Sequence, residues 1–140
     1  MSPLLAREGH AVLFASSEAH PLIKTGGLAD VAASLPAALR ELGHDARLIL
    51  PAYPQAKRLA RELRVLSELR LSNTQGPVTL VGGLLPDRDL PVYLVDAPAY
   101  FCREGNPYTD VSGRDWGDNP ERFLLFARVL ARVALGLPTI

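Results

Sequence analysis

The first hydrophobic run of the chain, residues 10–16, predicts a buried β-strand. Its sequence HAVLFAS is apolar without alternation, which is typical of a strand covered on both faces of a parallel sheet. Apolar residues then recur at helical spacing over residues 28–42, with a stop at Gly43. Pro36 lies within this stripe, and because the stripe continues past it we expect a kinked helix. An apolar run at 46–50 completes a strand, helix and strand unit in about 40 residues.

The middle of the chain predicts a short helix and three further strands. The polar stretch 55–64 has the composition of a helix, and residues 65–71 alternate loosely like a strand. Two β-branched apolar runs, 78–85 and 91–95, are separated by the turn-forming sequence PDRD, which predicts two antiparallel neighbours. The region 97–117 has no period and is rich in turn residues, so we expect a long surface loop with a functional role.

A long helix is predicted near the end of the chain. Asp118 or Asn119 provides a cap, Pro120 occupies the first turn, and the helix runs to about Leu135. Its apolar residues nearly surround it: Phe123, Leu124, Leu125, Phe126, Val129, Leu130, Val133 and Leu137. Such a helix is buried on several sides. Because no later element follows to cover it, we expect the sequence to be an incomplete domain.

Composition and charge exclude several classes of protein. The 15 Lys and Arg residues balance 15 Asp and Glu residues, and 48% of the chain is hydrophobic, as in one globular domain. Nucleic acids and anionic membranes select basic surfaces, so neither is an expected partner. Cys102 is the only cysteine, which excludes an internal disulfide and a zinc site of several thiolates. With no membrane-length apolar run and no leader pattern, we expect a cytoplasmic protein.

The turn between the first strand and the first helix, residues 16–27, is where this class of fold binds ligands. Its sequence SSEAHPLIKTGG has adjacent glycines, Gly26 and Gly27, and opens a helix whose free N–H groups favour phosphate. Lys24 can place an ammonium on the same phosphate. The turn matches neither GxGxxG nor the P-loop. From the spacing alone, a phosphate cradle and a flexible turn with a solvated lysine are equally good interpretations.

Several separated motifs resemble the N-terminal part of bacterial glycogen synthases and plant starch synthases. They are KTGGL at 24–28, VYLVDAPAYF at 92–101, NPYTD at 106–110 and DNPERF at 118–123. The resemblance extends from residue 10 to about residue 136 and keeps the order of the family's motifs. It implies an α/β fold: a Rossmann-like, three-layer βαβ domain that is the incomplete N-terminal domain of a two-domain glycosyltransferase.

The activity that the resemblance implies is retaining transfer of glucose from ADP-glucose to the non-reducing end of an α-1,4-glucan, in glycogen biosynthesis. In this family the cleft between the two domains holds the nucleotide sugar and the glucan, without a metal or cofactor. The family's HAHDW segment and the C-terminal Rossmann-like domain are absent from the sequence. Residues 1–140 are therefore expected to be the N-terminal part of the catalytic domain, inactive alone and dependent on the missing domain.

The resemblance also implies residues on the donor side of the site. Lys24 matches the lysine that binds the phosphates of the sugar nucleotide, and Gly26 and Gly27 match its backbone contacts. Asp30 matches an aspartate near the transferred glucose, where a carboxylate can accept hydrogen bonds from sugar hydroxyls. The structural alternative is that Asp30 is a first-turn aspartate that favours the helix dipole, and both roles can hold together.

On the acceptor side, Glu18 and Tyr108 match family positions that line the glucan site. The tyrosine offers a flat apolar face and one hydroxyl to a sugar ring. Trp116 either covers a sugar or anchors its loop. Asn119 and Arg122 are interpreted as a helix cap and an ion-pair partner rather than as ligands.

Two other functions remain open from the sequence. The alternative to an enzyme is a stand-alone nucleotide-sugar-binding or regulatory module without catalysis. We expect the last helix to separate the two, because a self-sufficient module needs a polar outer face there. Another nucleotide-using Rossmann domain, such as a dehydrogenase, needs GxGxxG and an acidic residue after the second strand, and neither is found where expected.

Overall fold

The computed structural model describes residues 9–136, which form one mixed sheet with helices packed on it. The elements are β1 Ala11–Ala15, α1 Gly27–Glu41, β2 Asp45–Pro51, α2 Pro54–Leu59, β3 Arg61–Leu69, β4 Val78–Leu84, β5 Pro91–Asp96, α3 Pro98–Phe101 and α4 Asn119–Ala134. The strand order is β1-β2-β5-β4-β3. Strands β1, β2 and β5 are parallel, whereas β4 is antiparallel to β5 and β3. The predicted Rossmann-like α/β class, the βαβ unit and the antiparallel β4–β5 pair are confirmed.

Helix α1 packs on the sheet through small residues. Its buried residues are Ala29, Ala32, Ala33 and Pro36, and the helix continues through the proline. The buried face is rotated away from the predicted stripe, whose larger members Leu28, Val31 and Leu35 are about half exposed. Small side chains let the helix approach the largely buried strand β2 closely, which a count of apolar positions does not reveal.

Strand β1 lies at the edge of the sheet that the structure describes, so the prediction that both of its faces are buried is wrong. Ala11 and Ala15 are exposed, and the residues between them are only partly buried. Within residues 9–136, β1 pairs with β2 alone. An apolar run cannot distinguish a central strand from an edge strand, because the pairing partners come from elsewhere in the chain.

The predicted helix over 55–64 is correct only in its first half, which forms α2. The second half joins β3, so the predicted boundary between helix and strand is wrong. Arg61 pairs with Leu84 across the sheet, and its Nε donates to the carbonyl of Leu85 at 3.0 Å. Cross-strand pairing overrides the helix propensity of this polar stretch.

Arg122 organises the region 97–117, which contains the short helix α3 and is otherwise irregular. Its side chain is fully buried, and Nε donates to the carbonyl of Tyr100 at 2.6 Å. Nη1 donates to the carbonyl of Pro107 at 3.1 Å and to Oδ1 of Asn119 at 2.7 Å. Burial lowers the pKa of Arg122. The predicted ion pair is wrong, because neutral oxygens rather than a carboxylate satisfy this guanidinium.

The start of α4 agrees with the prediction, but the predicted side-chain caps do not form. Asp118 occupies the cap position, yet its carboxylate accepts two hydrogen bonds from Arg103, at 2.6 and 2.7 Å. The Asn119 amide donates to the carbonyl of Tyr108 at 2.9 Å. Neither side chain caps the backbone of the helix: Asp118 binds the preceding loop, and Asn119 joins that loop to the Arg122 side chain, so the start of α4 is anchored by loop contacts.

Helix α4 is buried on one side only, not nearly all round as predicted. Leu125, Phe126 and Val129 enter the core. The exposed side carries Glu121, Leu124, Ala127, Ala131 and Arg132. Leu137 of the predicted stripe lies outside the described residues. Because the exposed side carries both charged and apolar residues, it does not discriminate between an enzyme fragment and a stand-alone binding module, contrary to the expectation from the sequence. Neither α4 nor any other helix between residues 9 and 136 is long and apolar enough to cross a membrane.

Replacing Arg122 with lysine should lower the free energy of unfolding by roughly 2–4 kcal/mol, because one ammonium cannot reach all of the acceptors and leaves buried carbonyls unpaired. The matched control is Arg132→Lys, an exposed residue of the same helix, which should change stability by less than about 0.5 kcal/mol. Urea denaturation of both variants measures the difference. Equal stability of the two variants would refute this role of Arg122.

Candidate functional site

The turn from β1 to α1 and the loop before α4 meet beyond the carboxyl ends of the parallel strands. The Tyr108 hydroxyl contacts Oγ of Ser17 at 2.6 Å and donates to Oε2 of Glu18 at 2.9 Å, across 90 residues of chain. Tyr53, just after β2, donates from its hydroxyl to the carbonyl of Ser17 at 2.8 Å. Open α/β sheets bind ligands at this edge. The structure thus brings the predicted residues Glu18 and Tyr108 together.

The Glu18 carboxylate is buried, and protein donors saturate it. Its Oε1 accepts from the backbone N–H of Thr25 at 3.3 Å and of Gly26 at 3.1 Å. Its Oε2 accepts from the hydroxyls of Thr25 and Tyr108. Burial alone would raise the pKa of Glu18, but these hydrogen bonds outweigh it and hold the pKa below its ordinary value. A direct contact with a glucan, as the resemblance implies, requires Glu18 to exchange one of these partners.

Lys24 and Asp30 form an ion pair on the outer surface of the turn. Nζ donates to Oδ1 at 2.9 Å and to Oδ2 at 2.8 Å, and the side chains are 45% and 52% exposed. The hydrogen bond from Lys24 holds the pKa of Asp30 below its ordinary value. Exposed ion pairs contribute little to stability and exchange readily with water or ligands. The two predicted donor-side charges are therefore adjacent and accessible.

The fold itself does not require Gly26 or Gly27. A Cβ added at either position meets nothing within 4 Å, and neither backbone is in the left-handed region. The N–H of Gly26 points inward to Glu18, so it is not directed toward solvent. At the start of α1, the N–H groups of the exposed residues Gly27 and Leu28 have no intrahelical acceptor. These amides lie where phosphate binds at helix N-termini.

The turn is an open surface rather than a closed pocket. Its exposed residues are His20, Lys24, Thr25 and Gly27, and they continue into Leu28 and Asp30 in the first turn of α1. Cavities of about 420, 380 and 370 Å³ lie elsewhere, beside Glu121, Thr74 and Val133 respectively. The Lys24 ammonium, the N–H groups of Gly27 and Leu28 and the Asp30 carboxylate can together hold one side of a phosphorylated sugar. Within residues 9–136, no group of three or more His, Cys, Asp or Glu side chains is arranged to hold a metal ion.

Sequence reasoning missed three residues that build the site. Thr25 donates to Glu18 through both its N–H and its hydroxyl. Ser17 and Tyr53 connect the turn to Tyr108 and to the end of β2. Burial raises the pKa of Tyr53, so its hydroxyl remains a donor. Thr25 was visible inside the KTGGL motif, whereas nothing in the sequence pointed to the other two.

Trp116 contacts protein groups that favour the loop-anchor role over the sugar-covering role. The Arg103 guanidinium lies 4.9 Å from the centroid of the Trp116 ring. The backbone N–H of Trp116 donates to the carbonyl of Tyr108 at 3.2 Å. Such cation–π contacts stabilise exposed sites modestly. The indole therefore helps to hold the Tyr108 backbone.

Comparison with known proteins relates this arrangement to one family. Residues 11–140 match the family described as the starch synthase catalytic domain. The chain is 50% identical to glycogen synthase 2 of Nitrosococcus oceani over 125 residues. This match covers 89% of this chain and 26% of that protein. The chain is 53% identical over 129 residues to glycogen synthase 1 of Methylococcus capsulatus, with coverage of 90% and 26%. The chain thus spans about a quarter of the length of these curated relatives.

A solved structure supports the same relationship. The catalytic domain of starch synthase IV from Arabidopsis thaliana, bound to ADP and acarbose, superposes with a TM-score of 0.73 at 29% identity. The match covers 91% of this chain and 25% of that one. Sequence family, close relatives and fold agree with the motifs that the sequence displays. The chain belongs to the starch synthase catalytic domain family.

Proposed function

We propose that this chain is the N-terminal part of a glycogen synthase that transfers glucose from ADP-glucose to the non-reducing end of an α-1,4-glucan. The matched relatives are named glycogen synthases, and the matched structure is bound to ADP and acarbose. Because the chain spans about a quarter of those relatives, the activity belongs to a longer enzyme that adds a second Rossmann-like domain. The cytoplasmic location predicted from the sequence goes with this role.

The observation that carries the proposal is the Lys24 and Asp30 pair at the N-terminal end of α1. The Lys24 ammonium and the backbone N–H groups of Gly27 and Leu28, which have no intrahelical acceptor, supply the donors that a diphosphate needs. Transfer of the sugar leaves charge on the departing ADP, and donors fixed in advance stabilise that charge. The open turn gives one side of the donor site, so the second domain must supply the other.

Asp30 and Tyr108 complete the proposed substrate contacts. When the phosphate draws Lys24 away, the Asp30 carboxylate is released to accept hydrogen bonds from the glucose hydroxyls. Tyr108 presents its ring and hydroxyl to the acceptor glucan from the other side of the turn. No metal ion has a part in this scheme, which relies on charge-assisted hydrogen bonds alone.

The family match favours the enzyme over a stand-alone nucleotide-sugar-binding or regulatory module. Nothing among the described residues specifically supports the module. The direct test measures glucosyl transfer from ADP-glucose to glycogen by a protein that joins this sequence to the remainder of its open reading frame. Incorporation of glucose into glycogen supports the proposal, whereas ADP-glucose binding without any transfer favours the module.

Lys24→Gln in that enzyme should raise the KM for ADP-glucose at least about tenfold, through loss of one charge-assisted hydrogen bond to phosphate. The free energy of unfolding should change by less than about 0.5 kcal/mol, because the lysine is exposed. The matched control is Lys57→Gln, a lysine of similar exposure that also pairs with an aspartate. Initial-rate kinetics and thermal melting compare the two. An unchanged KM and kcat in a folded Lys24→Gln enzyme would make Lys24 a solvated turn residue.

Asp30→Asn should lower kcat with ADP-glucose while the affinity for ADP is kept or becomes slightly tighter. The substitution removes a carboxylate from the sugar and also frees Lys24 from its intramolecular partner. Isothermal titration with ADP and initial rates with ADP-glucose separate the two effects. If the affinity for ADP fell by as much as the rate, the proposed contact between Asp30 and the sugar would be refuted.

A further inference from the structure

We infer that Glu18 is a positioning residue that couples the two substrate sides, so that acceptor binding at Tyr108 strengthens donor binding at residues 24–28. The inference rests on the proposed function, since it takes this turn as the donor side and the loop 106–110 as the acceptor side. It assigns to Glu18 a role that acts through protein groups instead of through a sugar.

One oxygen atom joins the two sides. Oε2 of Glu18 accepts from the Thr25 hydroxyl, which belongs to the turn, and from the Tyr108 hydroxyl, which belongs to the loop. Oε1 accepts from the backbone N–H groups of Thr25 and Gly26. Each carboxylate oxygen has two acceptor positions, so every position on Glu18 is taken. A change at Tyr108 therefore reaches the turn through a single side chain.

The energetic weight of this carboxylate comes from its burial. Glu18 is 1% exposed, and within residues 9–136 no Lys or Arg forms an ion pair with it. A buried charge without a counter-ion is tolerated only when hydrogen bonds compensate for its lost hydration. Its donors are thus held firmly, and removal of one leaves the buried charge undercompensated, which lowers the cost of opening the turn around Glu18.

The positive sign of the coupling follows from which hydroxyl donates each hydrogen bond at Tyr108. The Tyr108 hydroxyl donates its one proton to Glu18, so Ser17 must donate to Tyr108. Burial and the Glu18 carboxylate raise the pKa of Tyr108, which keeps the phenol protonated. One lone pair of the phenol remains to accept from a glucan hydroxyl. Accepting that bond polarises the phenol and strengthens its donation to Glu18, which stabilises the turn.

The first test uses the protein without substrates. Tyr108→Phe and Thr25→Val each remove one donor to Glu18, and Glu18→Gln removes the carboxylate. Hydrogen exchange of the Gly26 N–H should accelerate at least about threefold in all three variants. The matched control, Glu41→Gln at the exposed end of α1, should leave that rate unchanged. An unchanged Gly26 rate in Tyr108→Phe would overturn the coupling, whether or not Glu18→Gln folds.

The contribution of Glu18 to stability should also depend on pH. Its folded pKa lies below 4.5, so its stabilisation is present above the unfolded pKa and is lost as pH falls through the folded one. The titratable groups facing it, Tyr108 and Tyr53, have raised pKa values and stay neutral in acid. Glu18→Gln should therefore destabilise the protein at pH 7, and its stability should approach that of the wild type only as pH falls through the lowered folded pKa of Glu18. A difference independent of pH would contradict a charged Glu18.

The second test measures the coupling in the active enzyme by a double-mutant cycle. Tyr108→Phe should raise the KM for ADP-glucose about 3–10-fold, because only part of the free energy of one hydrogen bond to a charged group is transmitted to the turn, in addition to raising the KM for glucan. In the Glu18→Gln background, Tyr108→Phe should still raise the glucan KM but leave the ADP-glucose KM unchanged. If the role of Glu18 were purely structural, Glu18→Gln would lower the melting temperature without separating the effect of Tyr108→Phe on the ADP-glucose KM from its effect on the glucan KM.

Independent, multiplying effects of the two substitutions on the ADP-glucose KM would overturn the coupling. This outcome is distinct from failure of the proposed function, in which the wild-type enzyme transfers no glucose at all. In that case the hydrogen-exchange comparison of Tyr108→Phe with Glu41→Gln still decides whether Glu18 links the loop to the turn.

Discussion

The arrangement of the site depends on one constraint: a buried carboxylate must find hydrogen-bond donors when no cation is at hand. Glu18 meets it by drawing in the turn before α1 and the Tyr108 hydroxyl together. Arg122 is its counterpart of opposite charge, since neutral oxygens alone satisfy its buried guanidinium. Tyr108 lies between the two, held at its hydroxyl by Glu18 and through the neighbouring Pro107 by Arg122.

Burial divides the charged groups into fixed and available ones. Glu18 and Arg122 are buried and committed to protein partners, which gives the turn and the loop a defined geometry. Lys24 and Asp30 are about half exposed and bind each other through contacts that water screens. A preorganised site needs both kinds, because fixed charges hold the shape while exchangeable ones meet the ligand.

The sequence allowed the parallel βαβ unit and the antiparallel β4–β5 pair to be predicted, since local patterns and turn residues encode both. It did not place β1 at a sheet edge or residues 61–64 in a strand, because pairing with distant segments decides those positions. The family motif predicted Lys24 and Asp30 as site residues, and the structure shows that these two side chains pair and are exposed. The inward orientation of Glu18 was hidden, because its donors come from Thr25, Gly26 and the distant Tyr108.

Gly27→Ala tests most directly the proposal that the turn before α1 binds the donor nucleotide and that its glycines serve this ligand rather than the fold. The added methyl meets no protein atom, so the free energy of unfolding should stay constant or rise by up to about 1 kcal/mol. The affinity for ADP, measured by titration calorimetry on the full enzyme, should fall at least about fivefold. Gly117→Ala, at a glycine equally free of contacts, should leave that affinity unchanged. Wild-type ADP affinity in Gly27→Ala would contradict the claim.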